Sequence, residues 1–223
     1  MEIVESITTR KSIRVYKPDP VPKGILHEII EISVRAPSFE NSQPWEFIIV
    51  GGEVMAEVKR SLVQKVVARE PGAAHLPIAQ LPDKFWDRAR ENTGRLFELL
   101  GIPRDDKEKR NQWLQYQVKS FDAPNAIFVC IERDLSSWAL VDVGVIIQTI
   151  MMAAINYGLG TCVQATTVMY PEVLKEMFKI PETKLIVCGI AIGYPDMNAP
   201  ANQFESKRVP LESVVEWHGF EKV

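Results

Sequence analysis

Cysteine and histidine are scarce in this chain, with three of each in 223 residues. Cys130, Cys162 and Cys188 are odd in number and lie far apart in apolar runs, an arrangement that suits buried thiols in a reducing compartment better than disulfides or a zinc site. His27, His75 and His218 show no paired spacing, so no ligand set for a metal centre is visible and no metal is expected. Positive charge is short as well: 26 Lys and Arg stand against 29 Asp and Glu, a net of −3, without the basic excess from which nucleic-acid binders draw phosphate affinity. The opening Met1-Glu2-Ile3-Val4-Glu5 lacks the basic, apolar and small-residue sequence of a secretory signal, so a mature N-terminus and a cytoplasmic protein are expected. The one long apolar span, 138–157, is interrupted by Asp142, Gln148, Thr149 and Asn156. With a mean hydropathy of −0.05 for the chain, it reads as a central helix buried all round rather than a membrane span. Also missing are a Gly-x-x-x-x-Gly-Lys-Ser/Thr phosphate loop and a Gly-x-Ser-x-Gly elbow. Gly158-Leu159-Gly160 holds two glycines of a dinucleotide fingerprint but follows a helix, where the fingerprint must follow a strand.

What is present is a globular composition, 46% hydrophobic and 25% charged, long enough for one substantial core. Ile3, Val4 and Ile7 predict a short helix ending near Arg10, and Pro18 and Pro20 an extended connection. Pro22 opens a helix carrying Ile25, Ile29, Ile30 and Ile32, which must stop before Pro37. Residues 45–50 read as a strand and 53–68 as an amphipathic helix. Residues 71–124, broken by Pro71, Pro77, Pro82, Pro103 and Pro124, read as a helical insert with helices over 85–100 and 105–119. Strands are expected at 125–131 and 184–192, helices at 138–157 and 171–179, with Gly158 as a left-handed cap. The expected class is α+β, bordering on α/β: a single domain, 1–223, with a mixed sheet wrapped by helices. The tail of roughly 25 residues after Gly193 carries no strong signal of its own, and it is expected to pack on a second copy of the chain.

Three constellations bear on chemistry. Arg10-Lys11-Ser12-Ile13-Arg14 gathers three cations and a hydroxyl, which suits a dianionic phosphate; the alternative is the solvated basic end of a helix. Lys207-Arg208 is a second basic pair that would meet the same anion if the two ends of the chain converge. Between Pro37 and Trp45, two prolines brace a loop presenting Ser38, Asn41 and Gln43. Such amide and hydroxyl groups, with no acid or base among them, suit the edge of a heteroaromatic ring such as a flavin; the alternative is an ordinary polar loop on a buried Trp.

In order along the chain stand Arg10-Lys11-Ser12-Ile13-Arg14, the Pro37-Ser38-Phe39-Glu40-Asn41-Ser42-Gln43-Pro44-Trp45 loop, Gly158-Leu159-Gly160-Thr161, Gly193-Tyr194-Pro195, and Arg208 with Pro210. In these five elements, which span nearly its whole length, the sequence resembles the FMN-dependent nitroreductase family. The insert, with Phe85-Trp86-Asp87-Arg88-Ala89-Arg90 and Leu100-Gly101-Ile102-Pro103, is similar to the branch described as nitrobenzoate or nitroaromatic reductases. The resemblance implies a mixed, mostly antiparallel sheet and a homodimer with exchanged C-terminal tails and two FMN molecules at its interface. It implies that Arg10, Lys11, Ser12 and Arg14 hold the phosphate, ribityl chain and pyrimidine edge, and that Pro37, Ser38, Phe39 and Asn41 reach over from the other copy. Gln148, Gln164 and Ala165 would line the ring, and Lys207 and Arg208 would close on the phosphate. Two departures stand out: Glu40 replaces a small polar residue, and Gln164-Ala165 replaces the Glu-Gly or Gly-Gly of other branches.

The implied reaction is ping-pong hydride transfer from NADH or NADPH through the flavin to a nitroaromatic, quinone or similar small acceptor, with no catalytic side chain needed and Arg14 stabilising the reduced flavin electrostatically. Phe85, Trp86, Trp113, Tyr116 and Phe121 would roof the acceptor pocket; alternatively, they only pack the insert. Competing readings are a non-catalytic FMN sensor or store, a flavin-dependent reductive dehalogenase, and an acyl- or thiol-transfer enzyme using Cys162. The last lacks a nearby His.

Overall fold

The computed structural model describes residues 2–76 and 81–220. Pro77, one of the prolines expected to break the insert, lies outside them. The strands β1 (Glu46–Gly51), β2 (Asn125–Glu132), β3 (Gly160–Gln164) and β4 (Lys184–Gly193) form one sheet in the order β1-β2-β4-β3, every pairing antiparallel. Strand β2 lies inside this sheet. Ile127, Val129 and Ile131 point into one core and Ala126, Phe128 and Cys130 into the other, so a continuous apolar run is buried on both faces. In β4 the register slips at Val187, and the slip moves Ile186 to the opposite core from Cys188 and Ile190.

Helices cover both faces. On one side lie α2 (Lys23–Ser33) and α6 (Trp138–Asn156); on the other, α3 (Gly52–Val67) and α7 (Pro171–Phe178). The insert forms α4 (Asp83–Leu99) and α5 (Lys107–Val118), α1 (Ile3–Thr9) lies on α6, and α8 (Pro200–Gln203) follows β4. The insert leaves through Ser120, Phe121 and Asp122, three successive residues with φ near +55° (55°, 54° and 55°), a tight left-handed turn into β2.

Two expectations need correction. Residues 160–164 are a strand, not just a turn after the helix: Gly158 at φ +68° caps α6 as expected, and the chain then pairs with β4. Five residues headed by glycine give too little alternation to be read as a strand. The second concerns α6, the one helix among the described residues long and apolar enough to cross a membrane. It buries Ile146 and Ile150 completely but leaves Trp138 and Val141 exposed, so it is not buried all round. The helix lies along one face of the sheet, and among the described residues its far side is covered only in part, by α1 and the Phe39 loop.

A small polar contact ties the start of the insert to the sheet. Beyond Gly189, β4 has no β3 partner, and there the Ile186 N–H donates to His75 Nδ1 at 2.8 Å. Burial, with Lys175 and Arg133 nearby, holds the His75 imidazole below its ordinary value. The neutral ring is thus the folded form, and the stability it adds is complete above the unfolded-state value of about 6.5 and lost as pH falls toward the folded-state one. On acidification from about pH 7.5 to about pH 5.5 the urea midpoint should fall. It should fall less in His75→Gln, whose amide oxygen accepts the same N–H without titrating; an equal fall in both proteins would show that His75 is not the group responsible.

Candidate functional site

The site is built around three residues of extended backbone, Ile13 to Val15, whose polar groups are all held. Ile13 N–H donates to the Thr161 carbonyl at 3.0 Å, and the Tyr16 hydroxyl donates to the Ile13 carbonyl at 2.9 Å. Arg14 N–H donates to Asn202 Oδ1 at 2.7 Å, and the Tyr116 hydroxyl donates to the Arg14 carbonyl at 3.0 Å. Val15 N–H shares Asn202 Oδ1 at 3.2 Å, while Asn202 Nδ2 donates to the carbonyls of Val15, 2.7 Å, and Asp196, 2.8 Å. Asn202 is fully buried with four hydrogen bonds. Burial keeps both phenols protonated: Tyr116 is pushed up to about 12 and Tyr16 well above its ordinary value. They therefore remain donors.

This clamp fixes the backbone and leaves the cations over. Among the described residues, Arg10, Lys11 and Arg14 have no carboxylate within ion-pair distance, and the one hydrogen bond of the Arg14 guanidinium goes to the Ser12 carbonyl at 3.2 Å. The group faces β3. Burial raises the Cys162 thiol, while Arg14, a hydrogen bond with Ser12, and Arg10 pull it down. A neutral buried thiol beside two arginines is a poor nucleophile, which counts against thiol-transfer chemistry. Three unpaired cations in an acidic chain, with Arg14 on the clamped segment and Arg10 and Lys11 just before it, form a receptor for an anion.

The proline-braced loop stands at the surface. Ser38 Oγ accepts from Gln43 N–H at 3.0 Å, Phe39 N–H donates to the buried Asp142 at 3.0 Å, and Phe39 stacks on Trp138 with centroids 6.0 Å apart. Glu40, Asn41 and Gln43 hold positive φ, 48°, 58° and 47°, a strained turn that presents the Asn41 side chain outward. Pro37 and Phe39 are exposed and Ser38 half-buried. Asp142 was legible in the sequence only as a break in an apolar helix; it is the anchor of this loop.

The remaining predicted residues divide. Gln148 and Ala165 are exposed. Gln164 turns inward: its Nε2 donates to the Gln117 carbonyl of α5 at 2.8 Å, and its buried Oε1 has no partner. Lys207 pairs with Glu91 of α4 at 2.8 Å, a contact that with Arg95 nearby lowers the Glu91 carboxyl. Among the described residues Arg208 bonds only the carbonyls of Ser206 and Lys207, and neither basic tail residue meets Arg10–Arg14 there. Phe121 is buried and packs with Trp113 and Tyr116, centroids 5.6 and 5.4 Å away. That cluster holds the insert together and seats it on Cys162 and Ala191, the packing alternative for these three rings. Phe85, under Lys84 and Arg88, stays exposed, and Trp86 is half-buried along a groove between α4 and Arg110. Sequence reasoning missed Asn202, Phe204 and Arg95. The Phe204 ring lies 6.0 Å from the Arg14 guanidinium and 5.4 Å from that of Arg95.

Comparison with known proteins reaches the same segments. The chain is 29% identical to a 4-nitrobenzoate reductase of Pseudomonas putida over 97% of its length and 95% of that protein's. It is also 29% identical to a nitrobenzene nitroreductase of Ectopseudomonas oleovorans, over 94% of each. The crystal structure of an FMN- and NADPH-dependent nitroreductase, NfnB, from a Sphingopyxis strain superposes with a TM-score of 0.94 at 30% identity, covering 99% of this chain and 100% of that one. The sequence model of the Nitroreductase family matches residues 7–194, from the helix before the basic motif to the end of β4, and so takes in the anion receptor, the strained loop and the insert together. The chain belongs to the nitroreductase family.

Proposed function

We propose that this protein is an FMN-dependent NAD(P)H oxidoreductase that reduces nitroaromatic and similarly electron-poor small molecules. The observation that carries the reading is the set of unpaired cations leading into a clamped segment at the head of β3. Arg10, Lys11, Ser12 and Arg14 fit a phosphate-bearing cofactor: among the described residues no carboxylate compensates their charge, and the Ser12 hydroxyl stands between them. The relatives named above bind FMN and use NADPH, or reduce nitrobenzoate and nitrobenzene, by their names. When bound, FMN supplies two-electron transfer between a reduced nicotinamide and the acceptor. The chain's own share is to bind and orient it. Arg14 would set a positive charge against a cofactor that gains negative charge on reduction, and Tyr116, donating to the Arg14 carbonyl, holds the backbone that carries it. The whole chain, 1–223, serves as one domain with the insert 71–124 as its roof, on which Phe85 is exposed and Trp86 half-buried.

The working unit is a homodimer, with the strained loop, Gln148 and the tail completing the other copy's site. Support comes from uncovered apolar surface: Ile3, Val4 and Ile7 on α1, Trp138 and Val141 on α6, and the stacked Phe39 are all more than half exposed. Gly144 points the same way, since a mid-helix glycine costs about 1 kcal/mol and no neighbour within 4 Å explains it, as if another backbone must approach there. The tail's Leu211, Val214, Trp217 and Phe220 are exposed too, and the free edge of β1 with α2 forms a groove of about 590 Å³ lined by Val21, Leu26, Ile30, Val34 and Ile49 with Lys23, His27 and Glu31. Three free, buried thiols suit a cytoplasmic enzyme. Val141→Glu should convert the dimer to monomers in sedimentation experiments and release FMN with it. A folded Val141→Glu protein that remains dimeric would remove α6 from the interface.

The purified protein should be yellow, bleach anaerobically with NADH or NADPH, and recover its colour on addition of a nitroaromatic. Bleaching without turnover would leave only the sensor reading, and failure to take up FMN would end both.

A further inference from the structure

The Arg14 guanidinium has one weak hydrogen bond of its own, yet it is the charge on which the proposed chemistry leans. Its other neighbour is Phe204, just after α8, 5% exposed and carrying both the Arg14 and the Arg95 guanidinium over its ring. Phe204 is itself well placed to set geometry. Two residues earlier, Asn202 locks the same segment to the Arg14 and Val15 backbone, so ring and cation are referred to one rigid frame. Arg95 comes from α4, whose neighbouring Glu91 holds Lys207. The ring is thus a junction between the N-terminal motif, the insert and the tail. A guanidinium is weakly hydrated and keeps several rotatable bonds; without a partner it spreads over rotamers, and two of them side by side repel. An aromatic ring holds both by attraction to its electron-rich faces, which an aliphatic side chain of similar size does not do.

We propose that Phe204 is a positioning residue that holds the Arg14 guanidinium toward the cofactor and, through Arg95, couples that charge to the helical insert. This rests on the reading that Arg14 faces FMN. Arg95 then has a defined part: it occupies the ring alongside Arg14 and limits where the latter can go, so movement of the insert is felt at the cofactor.

The test uses the FMN-loaded dimer and its apoprotein. Phe204→Leu should weaken FMN binding by about fivefold and move the two-electron midpoint potential to more negative values, because the reduced, more anionic cofactor loses a fixed cation. Phe204→Tyr, which keeps the aromatic face, should restore both within about twofold. Arg95→Gln should shift the potential in the same sense as Phe204→Leu but by less, since Arg14 keeps its ring. Melting of the apoprotein separates positioning from packing: if Phe204→Leu and Phe204→Tyr destabilise it equally while differing in potential, the ring acts on the charge. Arg14→Gln tests the underlying reading. If it shifts neither affinity nor potential, Arg14 does not face the cofactor and the inference falls with it. If Arg14→Gln shifts both and Phe204→Leu shifts neither, or if the Phe204→Leu shift persists undiminished in the Arg14→Gln background, Phe204 is a packing residue only.

Discussion

Asn202→Ala should destabilise the protein by about 3 kcal/mol and weaken FMN binding by more than about tenfold. The side chain is fully buried and its four hydrogen bonds are divided unequally in consequence. The two carbonyls it serves have other donors: Val15 accepts from Asp196 N–H at 3.1 Å and Asp196 from Ala199 N–H at 3.3 Å. The N–H groups of Arg14 and Val15 have none but Asn202 Oδ1. Each stranded donor costs about 1–3 kcal/mol, and removal of the amide leaves a void beside them. In a chain of this size about 3 kcal/mol corresponds to a melting shift of roughly 10 °C. FMN binding weakens as well as folding because the freed segment is the one that carries Arg14. Thermal melts of the apoprotein and FMN titration check the two parts separately. A change below about 1 kcal/mol with unchanged FMN affinity would mean that water replaces Asn202 and that the clamp is not what orders the motif.

Much of this arrangement was legible because its signals are local. The Arg10–Arg14 cluster, the proline-braced loop and the glycine that ends α6 are each carried by residue types whose chemistry or backbone preference is fixed in place. The runs at 125–131 and 184–192 announce strands because apolar residues occupy both parities, and the structure extends them by only one residue each, to Glu132 and Gly193. What could not be read is long-range. Asn202 lies in a Pro- and Asn-rich stretch that looks like any exposed turn; its value appears only when the chain returns 188 residues later to meet Arg14. Phe121, Trp113 and Tyr116 have the composition of a stacking surface, but a left-handed turn at Ser120–Asp122 folds them onto each other. Lys207 looks like a phosphate ligand until Glu91, 116 residues earlier, is found beside it. β3 was missed because five residues beginning with glycine take their conformation from β4, not from themselves.

That glycine makes the sharpest steric prediction. Gly160→Ala should cost about 2–3 kcal/mol and abolish tight FMN binding, although alanine is the smallest addition possible. A methyl group at Gly160 would lie 2.4 Å from Ile13 Cγ1 and 2.9 Å from Ile13 Cβ. Ile13 cannot swing away: it is branched at Cβ, 5% exposed, and its N–H and carbonyl are tied to Thr161 and Tyr16. Relief must come from the backbone, which means separating the Ser12–Ile13 segment from β3 at the Ser12 to Thr161 bridge. Arg14 would move with it. Ile13→Ala removes the worst contact, so in the Gly160→Ala background it should recover part of the lost stability although it destabilises the parent protein. Gly160→Ala melting within about 1 kcal/mol of the parent with FMN affinity intact, or a double variant no better than the sum of the singles, would show that the basic motif is not seated on β3 by this contact.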